Sequence, residues 1–299
     1  MRFVKALFIV FIPVSLLVLI TACNEKKPTE TFEIVPMEQL TFSGGYYPTV
    51  SPDGNWLAFR VSGDGIVKMD LTTSQLYILA ACGTEPNWSR ASNLVVFRTT
   101  EAGSEQSVLG IVNAANGDTS LFHTGDFDDG AEWSPDGTEI AAQSSAGMVV
   151  FSYPPGSVDT ITCTDNVDGG CEGEYPTWSN DGEWLAFEDG LEIMKIPRSG
   201  GEAVQVVGGM NDVTEPAWSP DGKYIAFAME DSTTAHTHLW VADARGTAFG
   251  LWRLTGVDTT CTLAECMDRN PCWSPDSDMI YFQSNRSGHN EIWRIGFHP

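Results

Sequence analysis

The plainest candidates for chemistry are two histidines in Ala235-His236-Thr237-His238. On a strand, residues two apart face the same side. That spacing suits a pair of imidazole metal ligands, with Asp231 or Glu230 as a third. A lone His-x-His pair is a sparse signal, and His123, His289 and His298 have no usable spacing. No metal is therefore expected, with His236 and His238 kept as weak candidates. Five aspartates, Asp53, Asp136, Asp181, Asp221 and Asp276, recur in one context and could pass for catalytic carboxylates. Each follows Ser-Pro or Ser-Asn in a tight turn, where an Asp side chain caps backbone N–H groups without any catalysis. A serine nucleophile needs a Gly-x-Ser-x-Gly elbow. The nearest stretch, Gln143-Ser144-Ser145-Ala146-Gly147, lacks the first glycine. No catalytic residue is expected.

Seven cysteines remain to be placed, and the N-terminus decides how. Arg2 and Lys5 precede an apolar run from Ala6 to Ile20, the layout of a signal peptide over residues 1–22. Ile20-Thr21-Ala22-Cys23 resembles the lipobox of bacterial lipoproteins, whose cysteine is diacylated. Two acyl chains give stable anchoring, so Cys23 is expected to tether the protein to a lipid bilayer. Residues 23–37 then form a flexible leash. Asn24 lacks the aspartate that resembles an inner-membrane retention signal, which favours the outer membrane, on its periplasmic face or at the cell surface. In an exported chain disulfides are the default. Cys163 pairs naturally with Cys171, and Cys261 with Cys266, Cys272 being the competitor. Cys82 and Cys272 fall in units that do not adjoin and are expected as buried free thiols.

The formal net charge is -24, from 16 basic and 40 acidic residues among 299. Such a surface repels phosphate backbones, which excludes nucleic acid. It admits cationic proteins, basic peptides or metal ions.

The elements that position these residues come from a repeat. Trp218-Ser219-Pro220-Asp221-Gly222 leads into Ile225-Ala226-Phe227, and recurs around Ser51, Ser134, Ser179 and Ser274, with a worn copy at Trp88-Ser89-Arg90-Ala91-Ser92. The serines lie 38 to 55 residues apart. That period, with one Trp-bearing strand per unit, predicts an all-β, six-bladed β-propeller of four-stranded blades over residues 38–299. Strand a ends at Trp-Ser, Pro-Asp-Gly makes the turn, and strand b is apolar on both faces, as for strands sandwiched between blades. The last unit runs out after its third strand. The segment Glu38-Gln39-Leu40-Thr41-Phe42 matches Trp252-Arg253-Leu254-Thr255 in type, and is expected to supply the missing strand and close the ring. A monomer is expected.

These repeats behind an export signal resemble the β-propeller repeats of the TolB family of cell-envelope proteins, with five of six motifs well kept. TolB carries a further N-terminal α/β domain that has no counterpart here. The repeat also resembles the propeller of prolyl-oligopeptidase-like peptidases, whose hydrolase domain is likewise without a counterpart. The resemblance implies a non-catalytic binding scaffold in the envelope.

In such blades the loops from strand d to strand a share a face with the b–c loops. The residues before each strand a should ring the channel mouth: Tyr47, Glu85, Asp129, Glu174, Tyr175, Glu215, Arg269 and Asn270. Loops on rigid blades suit binding. Grouped carboxylates attract cations, so a protein or basic peptide is the expected partner, with Ca2+ as a possible ion. No calcium-loop pattern fits, since Thr164-x-Asn166-x-Asp168-Gly169 lacks the final Glu. Two alternatives remain open: a propeller lyase or hydrolase using mouth carboxylates with Tyr47 or Tyr175 and Arg269, and a Ca2+- or glycan-binding module.

Overall fold

The computed structural model describes residues 33–34 and 36–299, apart from 64, 101–105, 123–126, 146, 165–170, 172, 210–211, 235 and 257–264. The side chains of 33–34 and 127–129 are also outside the described set. Cys23, Cys261 and the side chain of Asp129 therefore lie outside the described residues.

The propeller expected from the repeat is present, with six antiparallel sheets in a ring. Blade 1 is Tyr46–Val50, Trp56–Arg60, Ile66–Asp70 and Leu76–Ala80, as strands a to d. Blades 2 to 5 begin with strands a at Thr84–Trp88, Phe127–Trp133, Glu174–Trp178 and Val213–Trp218. Blade 6 has Asp268–Trp273, Met279–Ser284 and Glu291–His298. Each strand a touches the strand a of the next blade, and that of blade 6 touches that of blade 1. Strands a thus wall a central channel.

The sequence produces this by placing apolar residues on both faces of strands b and c. Six buried clusters result, one at each blade–blade interface: Val96, Leu109 and Phe122 of blade 2 meet Trp133 and Ile140 of blade 3. Val50, Leu57 and Phe59 of blade 1 meet Tyr281 and Ile292 of blade 6. The repeated turns are held as expected. Each of the five Ser hydroxyls donates to its Asp at 2.5–2.7 Å, and each Ser oxygen accepts the N–H that opens strand b. The serine bond is the leading cause holding Asp53, Asp136, Asp181 and Asp276 below the usual carboxylate range. In Asp221 partial burial opposes this shift, and the Ser219 and Lys223 bonds prevail. These aspartates are turn caps.

Ring closure follows the expectation. Glu38–Gln39 pairs antiparallel with strand c of blade 6, Glu38 opposite Arg294 and Gln39 opposite Trp293. The following residues lock it. Leu40 N–H donates to Ile292 O, the Thr41 hydroxyl donates to Glu291, and Ile292 N–H donates to Thr41 Oγ1 at 2.8 Å. Leu254-Thr255 of blade 5 does the same at Leu239: Leu254 N–H donates to Leu239 O, and Leu239 N–H donates to Thr255 Oγ1. Glu33–Ile34, inside the stretch read as a leash, also pairs with this strand, opposite His298 and Phe297.

Candidate functional site

Every strand a carries a bulge near its start, and at each bulge one residue has left-handed backbone: Tyr47, Glu85, Gly130, Tyr175, Glu215 and Asn270, with φ between 50° and 57°. Five of them are not glycine, which makes this conformation uncommon and costly. In those five units proline follows. Proline disfavours right-handed helical backbone in the residue before it, and the bulge turns the chain into the strand. These six residues line one cavity of about 110 Å³ at the channel mouth. Around the ring they read Tyr, Glu, Gly, Tyr, Glu, Asn, so blades 1–3 are echoed by blades 4–6.

Five of the eight expected rim residues, Tyr47, Glu85, Tyr175, Glu215 and Asn270, therefore meet at this mouth. Glu174 is exposed but does not line the cavity, and Arg269 stands behind Glu215 at 3.9 Å. The two glutamates are not free rim charges. Glu85 is 8% exposed, accepts the Gly130 N–H of the next blade at 3.1 Å, and pairs with Arg98 at 2.8 Å. Glu215 is 9% exposed and accepts the Asn270 N–H at 2.7 Å. Each carboxylate thus caps the strained peptide of its neighbour. Burial pushes Glu215 up to about 7, against the Asn270 bond and Arg269. Glu188, half-buried beside it, is also raised, mainly by burial and further by Glu174 and Asp212.

Deeper in the channel lies a second ring, which sequence reasoning missed. Two residues beyond each bulge stand Thr49, Asn87, Glu132, Thr177, Ala217 and Cys272. Thr49, Asn87, Glu132 and Thr177 accept the N–H of Trp88, Trp133, Trp178 and Trp218 of the next blade at 2.9–3.3 Å. Cys272 accepts from Val50, which returns the ring to blade 1. Ala217 interrupts it, although its carbonyl takes the Trp273 indole at 2.9 Å. Below this ring the channel widens into a cavity of about 410 Å³ that reaches the Pro-Asp-Gly turns. Arg90, in the worn repeat, occupies the place of Pro52, Pro135, Pro220 and Pro275. Its guanidinium donates to Trp218 O of the opposite blade at 3.2 Å and lies 3.5 Å from Glu132. The signal was present in the sequence as the one repeat with a cation in place of the turn proline or asparagine.

His236 and His238 line a separate cavity of about 240 Å³ between blades 5 and 6, with Asp231, Arg253, Asp268 and Arg286. The imidazoles sit 5.9 Å apart, edge to face. Burial, then Arg253, lowers His238. Among the described residues no three His, Cys, Asp or Glu side chains are grouped to hold a metal ion. Cys163 and Cys171 are bonded, with Cα atoms 5.1 Å apart. Cys266 is also in a disulfide, and Cys261, the partner expected for it, lies outside the described residues. Cys272 is free, its thiol pushed up to about 11 chiefly by burial. Cys82 is free but exposed, against the expectation of burial, because it lies in the loop ahead of strand a of blade 2.

Fold and channel together define a six-bladed β-propeller. Its backbone is similar to a putative TolB from Agrobacterium tumefaciens, with TM-score 0.62 and 16% identity over 88% of this chain and 97% of that one. It is similar to TolB from Acinetobacter baumannii at TM-score 0.63 and 15% identity, over 86% of this chain and 64% of that one. An oligogalacturonate lyase in complex with manganese matches at TM-score 0.55 and 16% identity, over 87% and 79%. No family model matches the chain. An uncharacterized protein of Agrobacterium fabrum is 27% identical over 218 residues, which make up 66% of this chain and 64% of that relative. The chain thus spans just under two thirds of that relative's length.

Proposed function

We propose that this protein is a lipid-anchored envelope protein whose propeller binds a protein or basic peptide at the d–a face. The observation that carries the reading is the mouth: Tyr47, Tyr175 and Asn270 surround one opening on a backbone that the bulges and prolines hold rigid. Glu174 and Glu188 stand beside it, and the net charge of -24 favours a cationic partner. Aromatic anchors on a preorganised frame are what protein recognition uses. Cys23 supplies the tether in this proposal, and Ca2+ is an added variable rather than a component.

The test is a capture experiment from envelope extract with the full chain, with and without Ca2+. A triple variant, Tyr47→Asn, Glu174→Gln and Tyr175→Asn, runs beside it. Asn tolerates the left-handed backbone, as Asn270 does in blade 6, so the frame survives. A partner kept by the parent and lost by the variant supports the proposal, and equal capture by both sinks it.

One observation favours a second reading, a propeller lyase or hydrolase. Glu215, pushed up to about 7, holds or yields a proton near neutrality beside Arg269. That is the range a general acid or base needs. The bond from Asn270 N–H occupies one carboxylate oxygen, which gives Glu215 a structural use already.

A further inference from the structure

We propose that the end of the channel framed by the Pro-Asp-Gly turns is a binding site for a small molecule with a carboxylate on an apolar body, anchored by Arg90. This site lies beyond the second ring from the mouth at the d–a face, shares Asn87 and Glu132 with it, and stands whether or not a protein binds there.

Three observations converge. First, Arg90 interrupts an otherwise repeated position. Pro52, Pro135, Pro220 and Pro275 surround the same opening, and Asn180 completes it. Proline fixes the backbone and carries no charge, so one cation stands in a rigid collar without other charges. Second, the guanidinium is under-supplied with acceptors. Among the described residues only Nη2 is bonded, to Trp218 O at 3.2 Å and weakly to Glu132 at 3.5 Å. Nη1 is buried and has no partner. A guanidinium carries five N–H donors in a planar fork that matches a carboxylate. Third, the space is of ligand size. About 410 Å³ lies between Arg90 and the collar, walled by Trp88, Trp133, Trp218 and Trp273, within the range of small-molecule pockets.

Glu132 gives the site its selectivity. It already accepts the Trp178 N–H, and its approach to Arg90 is long, so it half-satisfies the guanidinium. A ligand carboxylate entering past the collar takes the unused Nη1 donor and competes with Glu132 for the remaining charge. Removing Glu132's charge should therefore strengthen binding, while removing Arg90 should abolish it.

The probe is benzoate, with benzamide as its uncharged counterpart, titrated into the full chain by calorimetry and tryptophan fluorescence. Benzoate is expected to bind at one site, and benzamide about tenfold more weakly or less. Arg90→Met should weaken benzoate by at least about tenfold, and Glu132→Gln should tighten it severalfold. Opposite shifts from the two partners separate a ligand site from a pair that only holds the blades together, where both variants would weaken binding alike. Equal binding of benzoate and benzamide, unchanged binding in Arg90→Met, parallel loss in both variants, or no benzoate binding at millimolar concentration would each overturn the proposal.

Discussion

Glu215 combines three burdens: left-handed backbone, burial, and a bond across the blade 5–6 boundary. Its folded pKa is raised, from 4.5 to about 7, so the protonated form is the one the fold prefers. The stability this contributes is complete below about 4.5 and is lost as pH rises through about 7. At roughly 1.4 kcal/mol per unit the span is on the order of 3 kcal/mol. Glu215→Gln keeps an acceptor for the Asn270 N–H and carries no charge at any pH. The variant should match the parent near pH 4.5 and exceed its Tm at pH 8, by several degrees. Parallel Tm profiles for the two proteins from pH 4.5 to 8 would refute the assignment. The sequence located this residue but not its direction. Simple alternation along strand a cannot anticipate a bulge, and the bulge is what turns Glu85 and Glu215 against the next blade. Arg90 was legible as the exception in a repeat, although nothing local says how far its side chain reaches.

Among the elements, the closing strand was the most legible. Leu40-Thr41 and Leu254-Thr255 look alike in sequence because each ends a strand d by the same pair of bonds to strand c. The extra pairing of Glu33–Ile34 was not legible, since a two-residue strand in a polar stretch has no periodicity to read. Thr41 is the pivot: its hydroxyl donates to Glu291, which is fully buried, and accepts from Ile292. Thr41→Val keeps the shape and removes both bonds. A buried donor or acceptor left unmet costs about 1–3 kcal/mol. Urea unfolding of Thr41→Val should show an unfolding free energy lower by that amount, as a lower midpoint with an unchanged slope. A midpoint equal to the parent's would mean that the closure is carried without Thr41, by the backbone pairing of Glu33–Ile34, Glu38–Gln39 and Leu40. The second ring of channel acceptors belongs at this scale too. Its members, Thr, Asn, Glu, Thr and Cys, have no one residue type in common, only a position two beyond each bulge. No motif search would have joined them.

For the molecule as a whole, six similar interfaces make one closed ring, and the apolar triplets of strand b reveal it because each must be buried on both faces. The bonds that close the ring join residues about 250 apart in the chain. Long-range contacts of this kind slow folding, since the ends must meet before the contacts repay the search. A circular permutant that moves residues 33–45 behind His298 through a short flexible linker makes those contacts local. It should refold faster than the parent in stopped-flow fluorescence, with its unfolding rate little changed. Equal refolding rates would show that closure is not the slow step. The same geometry sets an order of events during synthesis. Thr41 is made about 250 residues before Glu291 and must wait for it, and the stretch that waits is a strand edge in search of a partner. A ribosome that stops before Glu291 releases an open arc with bare edges at both ends, a shape that proteases and chaperones can tell from a finished ring.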